Sequence, residues 1–171
     1  MGPIALRERT DADLDACARL VAAVRSLDGY PPYLPDDDFV RLLTHPTPLV
    51  AYVATVDDRV VGHVALNPYT GAATEALACD GLGVEPAQLG IVARLFSSVD
   101  RRRHGIGRLL LLAATDATRS RGLIPVLDVW VELRAAVTLY ESAGWKRIGR
   151  ASVILPTGPH DVDVFVGPTT P

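Results

Sequence analysis

At 171 residues, 49% of them hydrophobic and 22% charged, the chain has the length and balance of one soluble globular domain, expected to span 1–171. Its formal net charge is −3, which excludes a general nucleic-acid binder, because such a protein needs a basic face. Cys17 and Cys79 form no CxxC pair, and no signal peptide or apolar run of membrane-spanning length is visible. The expectation is therefore a cytoplasmic protein with reduced thiols and no membrane partner.

In chain order, Ile4 to Arg9 alternates apolar and polar residues and reads as a strand. Thr10 reads as an N-cap with Asp13 as its capping-box partner, opening a helix in which Leu14, Cys17, Ala18, Val21 and Val24 recur at helical spacing. That helix ends near Asp28-Gly29. YPPYLP follows as a turn-rich connection, and Asp36 to Thr44 as a short helix.

VAYVATVDDRVVGHVALN has two apolar, β-branched runs around Asp57-Asp58-Arg59 and predicts a hairpin. Pro68 to Gly83 shows no clear period and reads as a loop with room for a short helix. Leu89 to Ser98 is a strand. A helix from about Gly105 runs to Arg121 and stops at Gly122. IPVLDVWVE has the continuous apolar character of a buried strand. Arg134 to Ser142 is a helix closed by Gly144, and strands near Trp145–Ile154 and Asp161–Val166 finish the chain. The tail GPTTP is expected to fray. A hairpin mixed with crossover helices predicts an α+β fold: α/β/α layers around a mixed, mostly antiparallel twisted sheet.

The junction between Leu89–Ser98 and the next helix carries the first chemical signal. Three arginines, Arg101 to Arg103, and His104 run into Gly105-Ile106-Gly107. The first N–H groups of a helix have no internal partners, and the macrodipole places partial positive charge there. Glycines permit positive φ and close approach of another molecule. Together these features make a phosphate cradle, to which Arg103 and Arg108 add charge-assisted bonds. A solvated turn explains an isolated G-x-G equally well. A P-loop fails for want of Lys-Ser/Thr, and a dinucleotide fingerprint fails at Leu110, where it requires glycine.

LFSSVDRRRHGIGRLLL resembles the acyl-CoA-binding motif of the GNAT superfamily (GCN5-related N-acetyltransferases). The family pattern R/Q-x-x-G-x-G/A is matched by Arg102-Arg103-His104-Gly105-Ile106-Gly107. VLDVWVELRAAVTLYESAGWKRIGR is similar to the family's strand–helix–strand, with Leu139-Tyr140 and Gly144-Trp145 at the matching places. The resemblance implies acetyl-CoA as cosubstrate. Its pyrophosphate would lie on backbone groups of Arg103 to Arg108, with Arg102 in the motif, and its pantetheine arm would bond the backbone of Leu95, Phe96 and Ser97 as an added strand. It implies direct attack by a primary amine, with Tyr140 as general acid.

Asp128, in an apolar strand, is the first choice of base, with Glu132 and His63 in reserve. The family's Asn is replaced by Leu133, beside which Arg134 offers a substitute contact, and a common proline is replaced by Val99. The acceptor is left as a small-molecule amine or a protein N-terminus. Asp36, Asp37 and Asp38 read first as favourable acids at a helix N-terminus and second as groups that attract it, and Tyr30 and Tyr33 either line its pocket or plug the side of the core. A non-catalytic acyl-CoA sensor on the same fold is the alternative. The four histidines show no metal-ligand spacing, so no metal is expected. Oligomeric state stays open between monomer and homodimer, because C-terminal edge strands offer a pairing surface.

Overall fold

The computed structural model describes residues 2–34 and 37–169; Asp36 and the last two residues of GPTTP lie outside the described residues. The elements are β1 (Ala5–Glu8), α1 (Leu14–Asp28), α2 (Phe39–Thr44), β2 (Val50–Val56), β3 (Arg59–Asn67), α3 (Ala73–Leu82), β4 (Leu89–Ser97), α4 (Ile106–Arg119), β5 (Ile124–Trp130), α5 (Arg134–Ser142), β6 (Lys146–Leu155) and β7 (Gly158–Val166). One mixed sheet runs in the order β1-β2-β3-β4-β5-β7-β6. Every neighbouring pair is antiparallel except β4 and β5.

The Thr10–Asp13 capping box forms: Asp13 Oδ2 accepts from the Thr10 N–H at 2.8 Å, while Arg7 grips the same carboxylate with two bonds of 2.7 Å. Two segments differ from the sequence expectation. Residues 73–82 form the full helix α3, whose period is hidden by small residues. Its start is fixed by the buried Glu75 carboxylate, which accepts from the N–H groups of Thr70 (2.7 Å) and Gly71 (2.9 Å) and from the Thr70 hydroxyl (3.0 Å). β7 starts at Gly158 rather than near Asp161, because β6 and β7 form a tight hairpin with Leu155 opposite Gly158. A Gly-Pro pair reads as a turn in sequence, yet Pro159 is accommodated opposite Ile154.

Side chains alternate across a strand, so successive β5 residues enter different cores. Leu127 and Val129 join the cluster built on Ile106, Leu110, Leu111 and Ala114 of α4 and Tyr140 of α5. Val126 joins the cluster under α3 on the other face. A third cluster packs Cys17, Val21 and Val24 of α1 and Leu42 and Leu43 of α2 against Val53 and Phe96. Helix α4 lies very close to the sheet. A Cβ built on Gly62 would come within 2.7 Å of Leu110, and one on Gly90 within 2.5 Å of Thr118. These two glycines thus let α4 settle, which points its N-terminus at the end of β4.

The sheet opens in its middle. The parallel register of β4 with β5 covers Leu89↔Ile124, Gly90↔Pro125 and Ile91↔Val126 and then stops. On its other side β4 shifts register against β3 between His63 and Ala65, with Arg94 at φ +56°. This is a bulge, and it bends β4 away from β5. The backbone beyond Ile91 keeps β3 as a partner and, among the described residues, has no strand partner on its β5 side.

Candidate active site

Between β4 and α4 the chain makes a short 3-10 turn at Val99–Arg101, then passes through Arg103 (φ +66°) and Gly105 (φ +79°) into the helix. The space beside Gly105 is open, so glycine is required there for its left-handed backbone. At Gly107 the reason differs from the sequence expectation. Its φ is not positive, and a Cβ there would stand 3.2 Å from Leu139, so this glycine lets α5 approach. The first α-helical bond of α4 runs from the Leu109 N–H to the Gly105 carbonyl at 2.9 Å, and no side chain caps the helix. The N–H groups of Ile106, Gly107 and Arg108 therefore lie at the helix mouth without helical partners. Arg102 is tied to Asp28 of α1, whereas Arg101, Arg103, Arg108 and Arg134 have no carboxylate partner among the described residues.

These groups open onto a cleft of about 910 Å³ lined by Leu95, Phe96, Ser97, Arg102, Arg103, Gly105, Ile106, Gly107, Arg108 and Tyr140, among others. His104 is the one member of the motif that does not line it; its Nδ1 lies 2.9 Å from the Arg102 carbonyl. Phe96 is buried and its ring stacks on His63, so its backbone is what it offers the cleft. Arg134 and Leu133 both line the cleft, and Leu133 presents an apolar wall.

A second cavity, about 400 Å³, adjoins the first and contains Asp128. The two share Tyr30, Leu95, Leu133, Ala136 and Tyr140 in their walls. Tyr140 stands at this junction with its ring held between Trp145 (centroids 6.2 Å apart) and Phe165 (6.0 Å). Burial, reinforced by nearby Tyr30 and Asp128, pushes its hydroxyl well above the usual tyrosine range, so it keeps its proton. Asp128 lies on the sheet face opposite the Leu127 and Val129 side chains. Its side chain is exposed to solvent, but the neighbouring residues of the cavity wall partly desolvate its carboxyl. This desolvation raises its carboxyl above the usual range, while the Thr74 hydroxyl and the Arg94 guanidinium oppose the shift.

His63 does not share in this site. It is fully buried, with Nδ1 2.9 Å from the Arg94 carbonyl and Nε2 3.1 Å from Arg9 Nη1. A guanidinium only donates and a carbonyl only accepts, so the ring is neutral with its proton on Nδ1. Burial, reinforced by the charges of Arg9 and Arg94, pushes it down to about 4. It is a structural histidine that fastens the β4 bulge, and it is excluded as base. Glu132 lines the first cleft and not the cavity of Asp128.

Of the acidic triplet, Asp37 and Asp38 follow the helix-start reading and not the acceptor-site one. Asp37 is tied to Arg25, and Asp38 caps α2 by accepting from the Arg41 N–H at 2.8 Å; neither lines the cavity. Tyr30 and Tyr33 do line it. Sequence reasoning missed Arg94. The available signal was a lone cation inside the apolar run LGIVARLFS.

Among the described residues no helix is long and apolar enough to cross a membrane, and no group of three or more His, Cys, Asp or Glu is placed to hold a metal ion. No curated protein sequence matches the chain. In fold it is similar to Arabidopsis thaliana NAA60 in complex with a bisubstrate analogue, at 17% identity over 96% of this chain and 97% of that one, with TM-score 0.72. The Arabidopsis protein in complex with acetyl-CoA gives 17% identity over 96% and 97%, with TM-score 0.71. The ribosomal-protein-S18-alanine N-acetyltransferase from Escherichia coli aligns at 16% identity over 99% and 96%, with TM-score 0.69. A GCN5-related N-acetyltransferase from Kribbella flavida aligns at 22% over 96% and 97%, with TM-score 0.69. At these identities the likeness is one of fold. The model of the Acetyltransferase (GNAT) family, however, matches residues 20–145, which take in the opened strand, the glycine turn and the tyrosine helix. The chain belongs to the GNAT family of acetyltransferases.

Proposed function

We propose that the protein transfers the acetyl group of acetyl-CoA to a primary amine in a ternary complex. The observation that carries this reading is the meeting of two cavities at Tyr140 and Leu95. One has a cationic, uncapped helix mouth suited to a diphosphate; the other holds a carboxylate suited to an amine. The N–H groups of Ile106, Gly107 and Arg108, with Arg103 beside them, hold the pyrophosphate. The free edge of β4 at Leu95 to Ser97 bonds the pantetheine amides as a neighbouring strand would.

In the cavity beyond, Asp128 removes a proton from the incoming ammonium. Its raised affinity for protons matches it to that task better than a solvated carboxylate. The neutral amine attacks the thioester carbonyl, the C–N bond forms and the C–S bond breaks. Tyr140 still carries its proton and donates it to the departing sulfur, and the second proton shed by the nitrogen as the amide forms restores the phenol. The chain acts as a single domain spanning 1–171.

Calorimetry with acetyl-CoA, followed by an amine panel read out as free thiol, tests this. Micromolar or tighter binding and amine-dependent thiol release are expected. Binding without release to any amine would make the protein an acyl-CoA sensor, and absence of binding would end the reading.

A further inference from the structure

The second cavity carries a charge that the chain as a whole does not. The protein is net acidic, yet Arg41, Arg94 and His45 line this cavity, and Asp128 is the one acidic residue among its described lining. Neither arginine has a carboxylate partner among the described residues. Arg41 is exposed at the cavity mouth, whereas Arg94 is half-buried, and a half-buried arginine normally finds an anion because its planar fork of donors is costly to leave unmatched.

Arg94 is also built into place. It is a non-glycine residue at φ +56°, a conformation that costs free energy and persists where surrounding structure fixes it. Its carbonyl is held by His63 Nδ1 at 2.9 Å, and its Nε donates to the Leu42 carbonyl at 3.2 Å. That leaves the two terminal nitrogens of the guanidinium without hydrogen-bond partners among the described residues. The rest of the cavity is apolar and aromatic, with Tyr30, Trp130 and Leu155 in its walls. At about 400 Å³ it is sized for a small molecule.

We propose that the acceptor is a small amine that also carries a carboxylate, an amino acid with an apolar or aromatic side chain, whose carboxylate is held by Arg94 and Arg41. This rests on the acetyltransferase reading and narrows its substrate class. The amine lies toward Asp128 and the junction with the coenzyme cleft. The carboxylate faces the arginines, and the side chain fills the aromatic wall. An anion between two guanidinium groups forms charge-assisted bonds that an amide cannot match. A peptide N-terminus presents an amide at that same place and becomes the poorer substrate.

The test compares kcat/KM for L-phenylalanine, its amide, phenethylamine and a peptide with N-terminal phenylalanine, using wild type, Arg94→Gln and Arg41→Gln. The wild type is expected to favour the free acid over its amide by about 10- to 100-fold, the worth of a charge-assisted hydrogen bond. The acid-to-amide ratio should collapse toward unity in Arg94→Gln and fall in Arg41→Gln. Because the ratio is taken within one enzyme, any effect of Arg94 on Asp128 cancels from it. If Arg94→Gln does not fold by circular dichroism, Arg41→Gln and the wild-type ratio still decide. Equal or better turnover of the amide, phenethylamine or peptide overturns the proposal and leaves the acetyltransferase reading standing. Refusal of this panel overturns it as well, while the acetyltransferase reading falls only if acetyl-CoA does not bind or no amine of the broader panel releases thiol.

Discussion

The coenzyme cleft and the acceptor cavity meet at Tyr140, but they are made of different materials. The cleft is closed at its sides by α1 and α5, but the groups offered to the coenzyme are mostly main-chain groups of one stretch, Leu95 to Arg108, whose geometry is set by a bulge, a glycine and a helix mouth. The cavity is built from side chains gathered from α2, β4, β5, β6, β7 and the Tyr30–Leu34 connection. Main-chain recognition depends on local conformation and tolerates many side chains. Side-chain recognition depends on tertiary placement and defines a particular guest. The division predicts which measurements respond to which changes.

The largest effect is expected at the junction. Tyr140→Phe should lower kcat by about 10²- to 10⁴-fold, the usual worth of a positioned proton donor, with coenzyme affinity unchanged by calorimetry. Loss of coenzyme affinity instead would mean that the ring is part of the cleft wall and not of the chemistry.

Asp128→Asn should lower kcat by about 10²-fold and remove the acidic limb of the kcat/KM profile. Its effect on stability runs the other way. A carboxyl whose folded affinity for protons is raised favours the native state at low pH and loses that contribution as pH rises through its raised value. At neutral pH the ionised carboxylate therefore adds nothing to stability, and because its side chain is exposed the asparagine variant should melt level with wild type or about a degree above it while being nearly inactive. A lower melting temperature would show that the carboxylate is a structural member of the cavity.

The bulge shared by the two regions gives a pH signature. His63 is held neutral, with its titration depressed from 6.5 to about 4. An unfolded chain binds that proton more readily, so stability is present above about pH 6.5 and is lost as pH falls toward 4, by about 3 kcal/mol at most. Melting curves of the Asp128→Asn variant, which lacks the opposing carboxyl, should show this decline from about pH 7.5 to 4.5, with a slope of about one proton. Asp13 and Asp163, both paired with arginine and depressed, enter only at lower pH. A flat profile across that window would contradict the neutral, doubly bonded ring.

The smallest effect belongs to the cleft. Gly105→Ala adds a Cβ that meets nothing, but at φ +79° it strains the turn by about 1–2 kcal/mol. Coenzyme affinity should weaken by about tenfold, while the ratio of turnover between any two acceptors stays fixed. A change in that ratio would blur the division between the two regions.

The same division explains what could be read before the structure. The strand-to-helix junction was legible because Gly105, Ile106 and Gly107 act where they stand in sequence. The mixed sheet flanked by helices followed from the hairpin and crossover pattern, whereas the strand order did not. Helix α3 was hidden because Ala73 to Leu82 carries small residues all round, and its start depends on buried Glu75 reaching back to Thr70 and Gly71. Arg94 was hidden for a different reason. Nothing in LGIVARLFS says that this residue sits on a bulge, because that depends on pairing with His63, 31 positions earlier in the chain. Asp37 and Asp38 left two readings open, since local acids at a helix start look the same in sequence whether they cap or recruit, and the helix-start reading is the one that holds.

The three-pair parallel seam between β4 and β5 has a mechanical consequence. Among the described residues it is the only sheet bonding between two antiparallel ribbons, β1 to β4 on one side and β5 to β7 on the other. A molecule that lays its amides along the open lip of β4 lengthens that seam, so the acyl carrier serves as mortar as well as fuel. The melting point should climb with carrier concentration, and the slowest-exchanging amides should spread outward from Ile91 as the gap fills.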